Sequence, residues 1–168
     1  MHTLRFPGIL ILLGLLGLVA GTLAWVVGSD PFDHETIESV VYQIALTIGY
    51  SLAGLACWRW IVGCWATNVD PSVQRIPSRL MAAASAVTAA AFAALTVLQY
   101  ENHRQLLHTL SGIGTQRIAV IDPHYRLRMA GGASIVVGLL LASVGFWIAS
   151  SATRTAGSEP QEPAVPVG

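Results

Sequence analysis

The sequence predicts an all-α integral membrane protein in which four transmembrane helices form a bundle. Hydrophobic residues make up 54% of the 168-residue chain and charged residues only 11%, whereas a soluble domain is about 25% charged. The mean hydropathy is correspondingly positive, at +0.61. Four long runs almost free of charge divide the chain, and each can cross the roughly 30 Å hydrocarbon core of a bilayer as a helix. Residues 1–150 therefore form one predicted membrane domain.

The first two spans are predicted over about residues 7–28 and 40–65. The first lies in the charge-free run from Phe6 to Ser29. A cleaved secretory signal is the rival interpretation, but the apolar region of such a signal is only about 7–15 residues long. The second span contains a single charge, Arg59, near its end, where a long side chain can reach the headgroups. Both runs therefore predict transmembrane helices.

The third and fourth spans are predicted over about residues 80–100 and 129–150. The third is dominated by alanine, which makes it the weakest hydrophobic signal of the four. The fourth lies in a charge-free run that is long enough to cross with some tilt. The tail over residues 151–168 is small, polar and interrupted by three prolines, so we expect it to be disordered.

An Asp-Pro pair occurs in each of the three predicted connections. Aspartate is a good N-cap, and proline suits the first helical position because its missing N–H would be unpaired there in any case. Each pair therefore predicts the start of a helix. The pairs are Asp30-Pro31, Asp70-Pro71 and Asp122-Pro123.

Small residues recur at four-residue spacing along the predicted spans. Apolar burial drives little association in lipid, so helices there depend on close backbone approach, which small residues permit. The stripes predict tight packing, either within one chain or between copies. The predicted packing positions are Gly17 and Gly21 on the first span, Gly49 and Ala53 on the second, and Ser134, Gly138 and Ala142 on the fourth.

Charge around the first span predicts the orientation. The first connection is acidic and contains no Arg, while Arg5 precedes the first span. Because positive charge is retained on the cytoplasmic side, both termini are expected in the cytoplasm. Outside the spans, four arginines agree with this orientation (Arg5, Arg75, Arg79 and Arg154) and four do not (Arg104, Arg117, Arg126 and Arg128). All nine basic residues are Arg, a usage typical of GC-rich genomes, and we expect a bacterial inner membrane.

The third connection, from Glu101 to Arg128, is the region most suggestive of function, and a short interfacial helix is expected in it. If the third helix continues beyond the membrane, three of its polar residues share one face. That face predicts contact with a partner or the membrane surface, whereas a solvated helix extension is the simpler interpretation. The candidate contact residues are Glu101, His103, Arg104, His108 and His124.

Several classes of chemistry find no support in the sequence. His103 and His108 are five residues apart, unlike the four-residue spacing of helical zinc ligands, so no metal site is predicted. Cys57 and Cys64 are separated by about 10 Å along one helix, too far for a disulfide. No ionisable residue lies in the middle of a span, as proton-coupled transporters require. No cofactor is expected, and without a basic cluster neither is nucleic acid.

The predicted function is accordingly non-enzymatic. We expect an accessory subunit, assembly factor or scaffold that acts through helix packing, with the lipid bilayer and a protein partner or a second copy as its contacts. The alternative is a small oligomeric transporter or channel for a neutral or lipid-like solute, with Ser51, Thr88 or Ser134 on the path. A membrane enzyme would rest only on Glu101, His103 and His108.

Overall fold

The computed structural model describes residues 5–29, 34–67, 69–110 and 115–156, and within these ranges the chain is almost entirely helical. Four helices occur in these ranges, as predicted, and all four are long and apolar enough to cross a membrane. No strand occurs in the described ranges. The helices are α1 (Arg5–Val27), α2 (His34–Ala66), α3 (Pro71–Leu110) and α4 (Thr115–Ala156).

The helix starts agree only partly with the Asp-Pro signals. α3 begins at Pro71, directly after Asp70, whose carbonyl accepts a 3.1 Å hydrogen bond from the Val73 N–H. The pair at 30–31 lies outside the described residues. The pair at 122–123 lies inside α4, which begins at Thr115. An Asp-Pro pair therefore marks a helix start only where no helical turn already precedes it.

α3 and α4 are much longer than a membrane crossing requires. They contain 40 and 42 residues, about 60 Å each at 1.5 Å per residue, or twice the hydrocarbon core. Only residues 111–114 separate them. α4 also continues to Ala156, so the first six residues of the predicted tail are helical. Residues 157–168 lie outside the described part of the chain.

α1 and α4 are antiparallel and their backbones touch through two seven-residue glycine repeats. A Cβ placed on Gly14 would lie 2.5 Å from the Gly138 carbonyl oxygen, and one on Gly21 would lie 2.6 Å from that of Gly131. No real side chain tolerates such distances. Glycine is therefore required for this close approach. The two repeats are Gly14, Gly21 and Gly28 on α1, and Gly131, Gly138 and Gly145 on α4.

The interior is built mainly on this helix pair. α1 and α3 each pack against α4, and α2 closes the bundle by contacting α1 and α3. Of the five largest fully buried side chains, Leu18, Ile135, Leu139 and Phe146 come from α1 and α4 and Ile61 comes from α2. In the most apolar stretch of α4, 44% of the residues are buried, against 22% in α2. α2 is therefore held less closely than α1 or α4.

Candidate functional sites

The residues predicted for the third connection lie on helices. Glu101, His103, Arg104 and His108 occupy the end of α3, and His124 lies on α4. The expectation of a connection from 101 to 128 with its own short helix is corrected accordingly, because both flanking helices simply continue. Residues 101–110 contain no glycine or proline, so nothing stops α3 before the Ser-Gly pair at 111–112.

The structure divides these five residues between the surface and the helix interface. Glu101 and Arg104 form an exposed ion pair of 3.9 Å, and His108 and His124 are exposed as well. An exposed pair one helical turn apart contributes little, because both charges stay hydrated. His103 instead packs against α4. It therefore stands apart from the surface set that the sequence predicted.

His103 belongs to an aromatic contact that closes the base of the α3–α4 hairpin. Its ring stacks on Tyr125 with 3.4 Å between the ring centroids and 10° between the planes. The Tyr125 hydroxyl donates a 3.0 Å hydrogen bond to the backbone carbonyl of Gln99. These interactions join residues more than twenty positions apart. The periodicity of the sequence does not predict contacts between residues so far apart.

A second contact joins α1 to α4 at the same end of the bundle. The Arg128 guanidinium carbon lies 4.7 Å from the centroid of the buried Trp25 ring. A cation over an indole face is stabilised by the ring quadrupole. His124 contributes here through its backbone, since its carbonyl oxygen lies 2.7 Å from the position of a Cβ on Gly28. No pattern in the sequence indicates that Arg128 and Trp25 are in contact.

Buried hydroxyl groups provide the polar ties of α2. The Thr22 hydroxyl donates to the Leu18 carbonyl at 2.9 Å. Its oxygen then accepts from the Thr47 hydroxyl at 2.7 Å and from Gln43 Nε2 at 3.3 Å, which uses both of its lone pairs. Tyr50 makes a corresponding short contact with the Ser85 hydroxyl of α3. α2 is thus tied to both neighbours by satisfied hydrogen bonds.

The predicted packing residues fall into two groups. Gly17, Gly21, Ser134, Gly138 and Ala142 all lie at the α1–α4 interface, where the Ser134 hydroxyl donates a 2.9 Å bond to the Gly17 carbonyl. The two predicted positions on α2 lie away from this interface.

Gly49 and Ala53 lie on an exposed face of α2. A Cβ on Gly49 would meet no atom within 4 Å. Ala45, one turn earlier, is exposed too. We call Ala45, Gly49 and Ala53 the small-residue face of α2. Within the described part of the chain, only Gly63, also on α2, shares the open surroundings of Gly49.

The fold defines an all-helical protein with four helices suited in length and hydropathy to crossing a membrane. The chain matches no known protein family, no curated protein and no solved structure. Across the described residues, no group of three or more His, Cys, Asp or Glu side chains is placed to hold a metal ion. The distinctive features of the described chain are its packing surfaces, namely the tight α1–α4 interface and the small-residue face of α2.

Proposed function

We propose that this protein is a multi-pass membrane protein of non-enzymatic type, an accessory subunit, assembly factor or scaffold, that binds another membrane protein through the small-residue face of α2. The observation that carries the proposal is the open space at Gly49. The proposal has two parts, insertion in a membrane and docking through α2.

Insertion is supported by the outer surface of the bundle. More than half of the surface of Ile9, Leu12, Leu16 and Leu23 is exposed on α1 alone. Leaving one such side chain in water rather than burying it costs about 1.5–3 kcal/mol. Hydrocarbon removes that cost, and within it the backbone N–H and C=O groups of a long helix are hydrogen-bonded to each other. A bilayer is therefore the environment that fits this surface.

Orientation with residue 5 in the cytoplasm is supported by the placement of charge. The helices alternate in direction, so the acidic α1–α2 connection lies at the same end as the α3–α4 hairpin. That first connection has no Arg. Five of the nine arginines lie at the opposite end and four at the hairpin end. The preference for this orientation therefore rests mainly on the first connection, which has no Arg and lies opposite Arg5. A bacterial inner membrane remains the proposed location.

Docking is supported by the contrast between α2 and the α1–α4 pair. On α1 and α4 the small residues press against a neighbouring backbone, and the glycines are sterically required. On α2 the same four-residue pattern lies on an exposed face, and a Cβ at Gly49 would meet no atom within 4 Å in the described chain. A glycine inside a helix lowers its stability by about 0.5–1 kcal/mol relative to alanine, and no contact of Gly49 within the described chain offsets this loss. Close packing of a partner helix on this face would offset it.

The test is co-purification in a mild detergent. The wild-type chain is expected to elute with a larger membrane-protein assembly, and the double variant Gly49→Leu/Ala53→Leu is expected to elute without it. The matched control is Ala84→Leu/Ala91→Leu, which enlarges two exposed alanines on α3. Elution of the wild-type chain as a lone, monodisperse monomer would contradict the proposal.

The transporter alternative has weaker support. Of the hydroxyl groups predicted to line a solute path, that of Ser134 is engaged in packing, because it bonds the Gly17 carbonyl. If the alternative holds, liposomes that contain the protein pass a neutral solute faster than empty liposomes do. Equal rates remove it.

A further inference from the structure

The inner face of α2 changes in character along the helix. In the half nearest the α1–α2 connection, residues 37–53, the two buried residues are Gln43 and Thr47, and both are polar. Leu46 packs against the core in this half but is only partly buried. In the other half the buried residues are small or apolar, and they are Gly54, Cys57, Ile61 and Cys64. The first half is therefore held mainly by polar contacts and the second half by packing.

The second half of α2 fits closely against α1 and α4. A Cβ on Gly54 would lie 3.4 Å from the Leu15 side chain of α1 and 3.8 Å from the Phe146 ring of α4, which are ordinary contact distances. Cys57 and Ile61 belong to the same buried core cluster as Leu15 and Phe146. This half of α2 cannot move without opening that core.

A groove of about 450 Å³ separates the first half of α2 from α1. Leu23 of α1 and Ile48 of α2 lie on its two walls and are 62% and 56% exposed, so they bury little of each other. The two helices are joined beside the groove by a hydrogen-bonded cluster, in which the Thr22 oxygen lies 2.7 Å from the Thr47 hydroxyl and 3.3 Å from Gln43 Nε2. We call Thr22, Gln43 and Thr47 the polar latch.

The contact of α2 with α3 lies near the boundary between the two halves. Tyr50 makes its short hydrogen bond with Ser85 there, and its hydroxyl also lies 3.4 Å from the Met81 carbonyl oxygen. Within the described residues, the backbones of α1 and α3 both approach α4 closely, whereas the backbone of α2 approaches α1 and α3 but not α4. α1, α3 and α4 thus form one body, and the first half of α2 lies at its edge.

We propose that the first half of α2 is a movable element, which tilts away from α1 about the packed second half and is held in the closed position by the polar latch. Segments with few buried apolar contacts open locally, and a single hydrogen bond adds little net stability. From residue 54 to residue 37 the helix is about 25 Å long, so a tilt of about 10° moves its tip by about 4 Å. The tilt widens the groove and exposes the Thr22 and Thr47 hydroxyls. It does not depend on what the outer face of α2 binds.

The first test measures distances between two spin labels by pulsed electron paramagnetic resonance. The full-length protein is used in mild detergent, with Cys57 and Cys64 replaced by alanine. Labels at Val41 of α2 and Leu98 of α3, which are 60% and 61% exposed, report on the tip of the first half. We expect a main population and a second, smaller one whose distance differs by several ångströms.

The control pair lies at the other end of the same two helices. It consists of Val62 of α2 and Leu80 of α3, which are 43% and 65% exposed. We expect one narrow distribution there, because the second half of α2 is packed. A single narrow distribution at both pairs would overturn the inference. Two populations at both pairs would also overturn it, because the whole helix would then move.

The second test weakens the latch. Thr22→Val leaves the donors of Gln43 and Thr47 buried without a partner in the closed position, so the second population at the tip should rise at least about fivefold. Gln43→Leu removes one hydrogen bond and leaves no donor unpaired, so a rise of about twofold is expected. The matched control is Ser134→Ala, which removes a 2.9 Å hydrogen bond to Gly17 where the α1 and α4 backbones touch.

Ser134→Ala is expected to leave the two populations unchanged. No rise in either latch variant, or an equal rise in Ser134→Ala, would overturn the inference. The distances in the protein with an intact latch test the movement whether or not Thr22→Val folds, and Gln43→Leu tests the latch in that case.

Discussion

Gly138→Ala adds one methyl group where α1 and α4 are closest. The new carbon would lie 2.6 Å from the Gly14 carbonyl oxygen and 2.7 Å from the Leu18 backbone nitrogen. Ordinary contact begins near 3.4 Å, so the helices must separate by about 0.8 Å (3.4 − 2.6). Both obstructing atoms belong to the backbone, so no side-chain rotation relieves the clash. The whole interface must move.

The expected loss of stability follows from that separation. A gap of about 0.5–1 Å already forfeits a quarter to a half of each dispersion contact. Overpacking a tight interior costs about 1–3 kcal/mol, and the rigid backbone on both sides places Gly138→Ala near 3 kcal/mol. The measurement is reversible unfolding in mixed detergent micelles, followed by circular dichroism.

Gly49→Ala is the matched control, with the same chemistry at an open position. A Cβ at Gly49 meets nothing, and alanine is the better helix former by about 0.5–1 kcal/mol. The isolated chain should therefore be unchanged or slightly more stable. An unchanged Gly138→Ala protein, or a Gly49→Ala protein destabilised as much, would refute the assignment of the tight interface to α1 and α4.

Two further predictions concern the polar and aromatic ties. Thr22→Val removes the hydroxyl that accepts hydrogen bonds from Gln43 and Thr47, and so leaves two buried donors unpaired. The free energy of unfolding should fall by about 1–3 kcal/mol. No change in the same unfolding assay would show that this cluster does not hold α2 against α1. Tyr125→Phe keeps the stack on His103 but loses the bond to Gln99, so amide exchange over residues 99–110 should quicken modestly, and Tyr125→Ala, which loses both, should quicken it more. Equal exchange in the two variants would contradict a role for the stack.

The helices themselves could be predicted because each carries a long apolar run whose backbone groups can pair only within the helix. Their ends could not. The extension of α3 to Leu110 depends on the absence of helix breakers and on contacts such as that between His103 and Tyr125. The apolar run of the sequence ends at the charged residues near 101. Hydropathy therefore indicates where the chain leaves an apolar environment, not where the helix ends.

The sequence predicts the small-residue positions at which helices can pack, but not which helix each position contacts. The four-residue pattern at Gly17 and Gly21 resembles that at Gly49 and Ala53, yet the first pair faces α4 and the second faces outward. Only the arrangement of the four helices decides which pattern is used inside the chain. The seven-residue repeat through Gly14 distinguishes the tight pair, because its counterpart with the same period runs along α4.

Four crossings are tested most directly by the accessibility of two single cysteines, Arg104→Cys and Arg154→Cys, in a chain whose Cys57 and Cys64 are replaced by alanine. The reagent is a membrane-impermeant maleimide applied to intact cells and then to permeabilised ones. With four crossings and residue 5 in the cytoplasm, position 104 is labelled in intact cells and position 154 only after permeabilisation. Labelling of both positions from the same side would contradict a membrane-spanning α4.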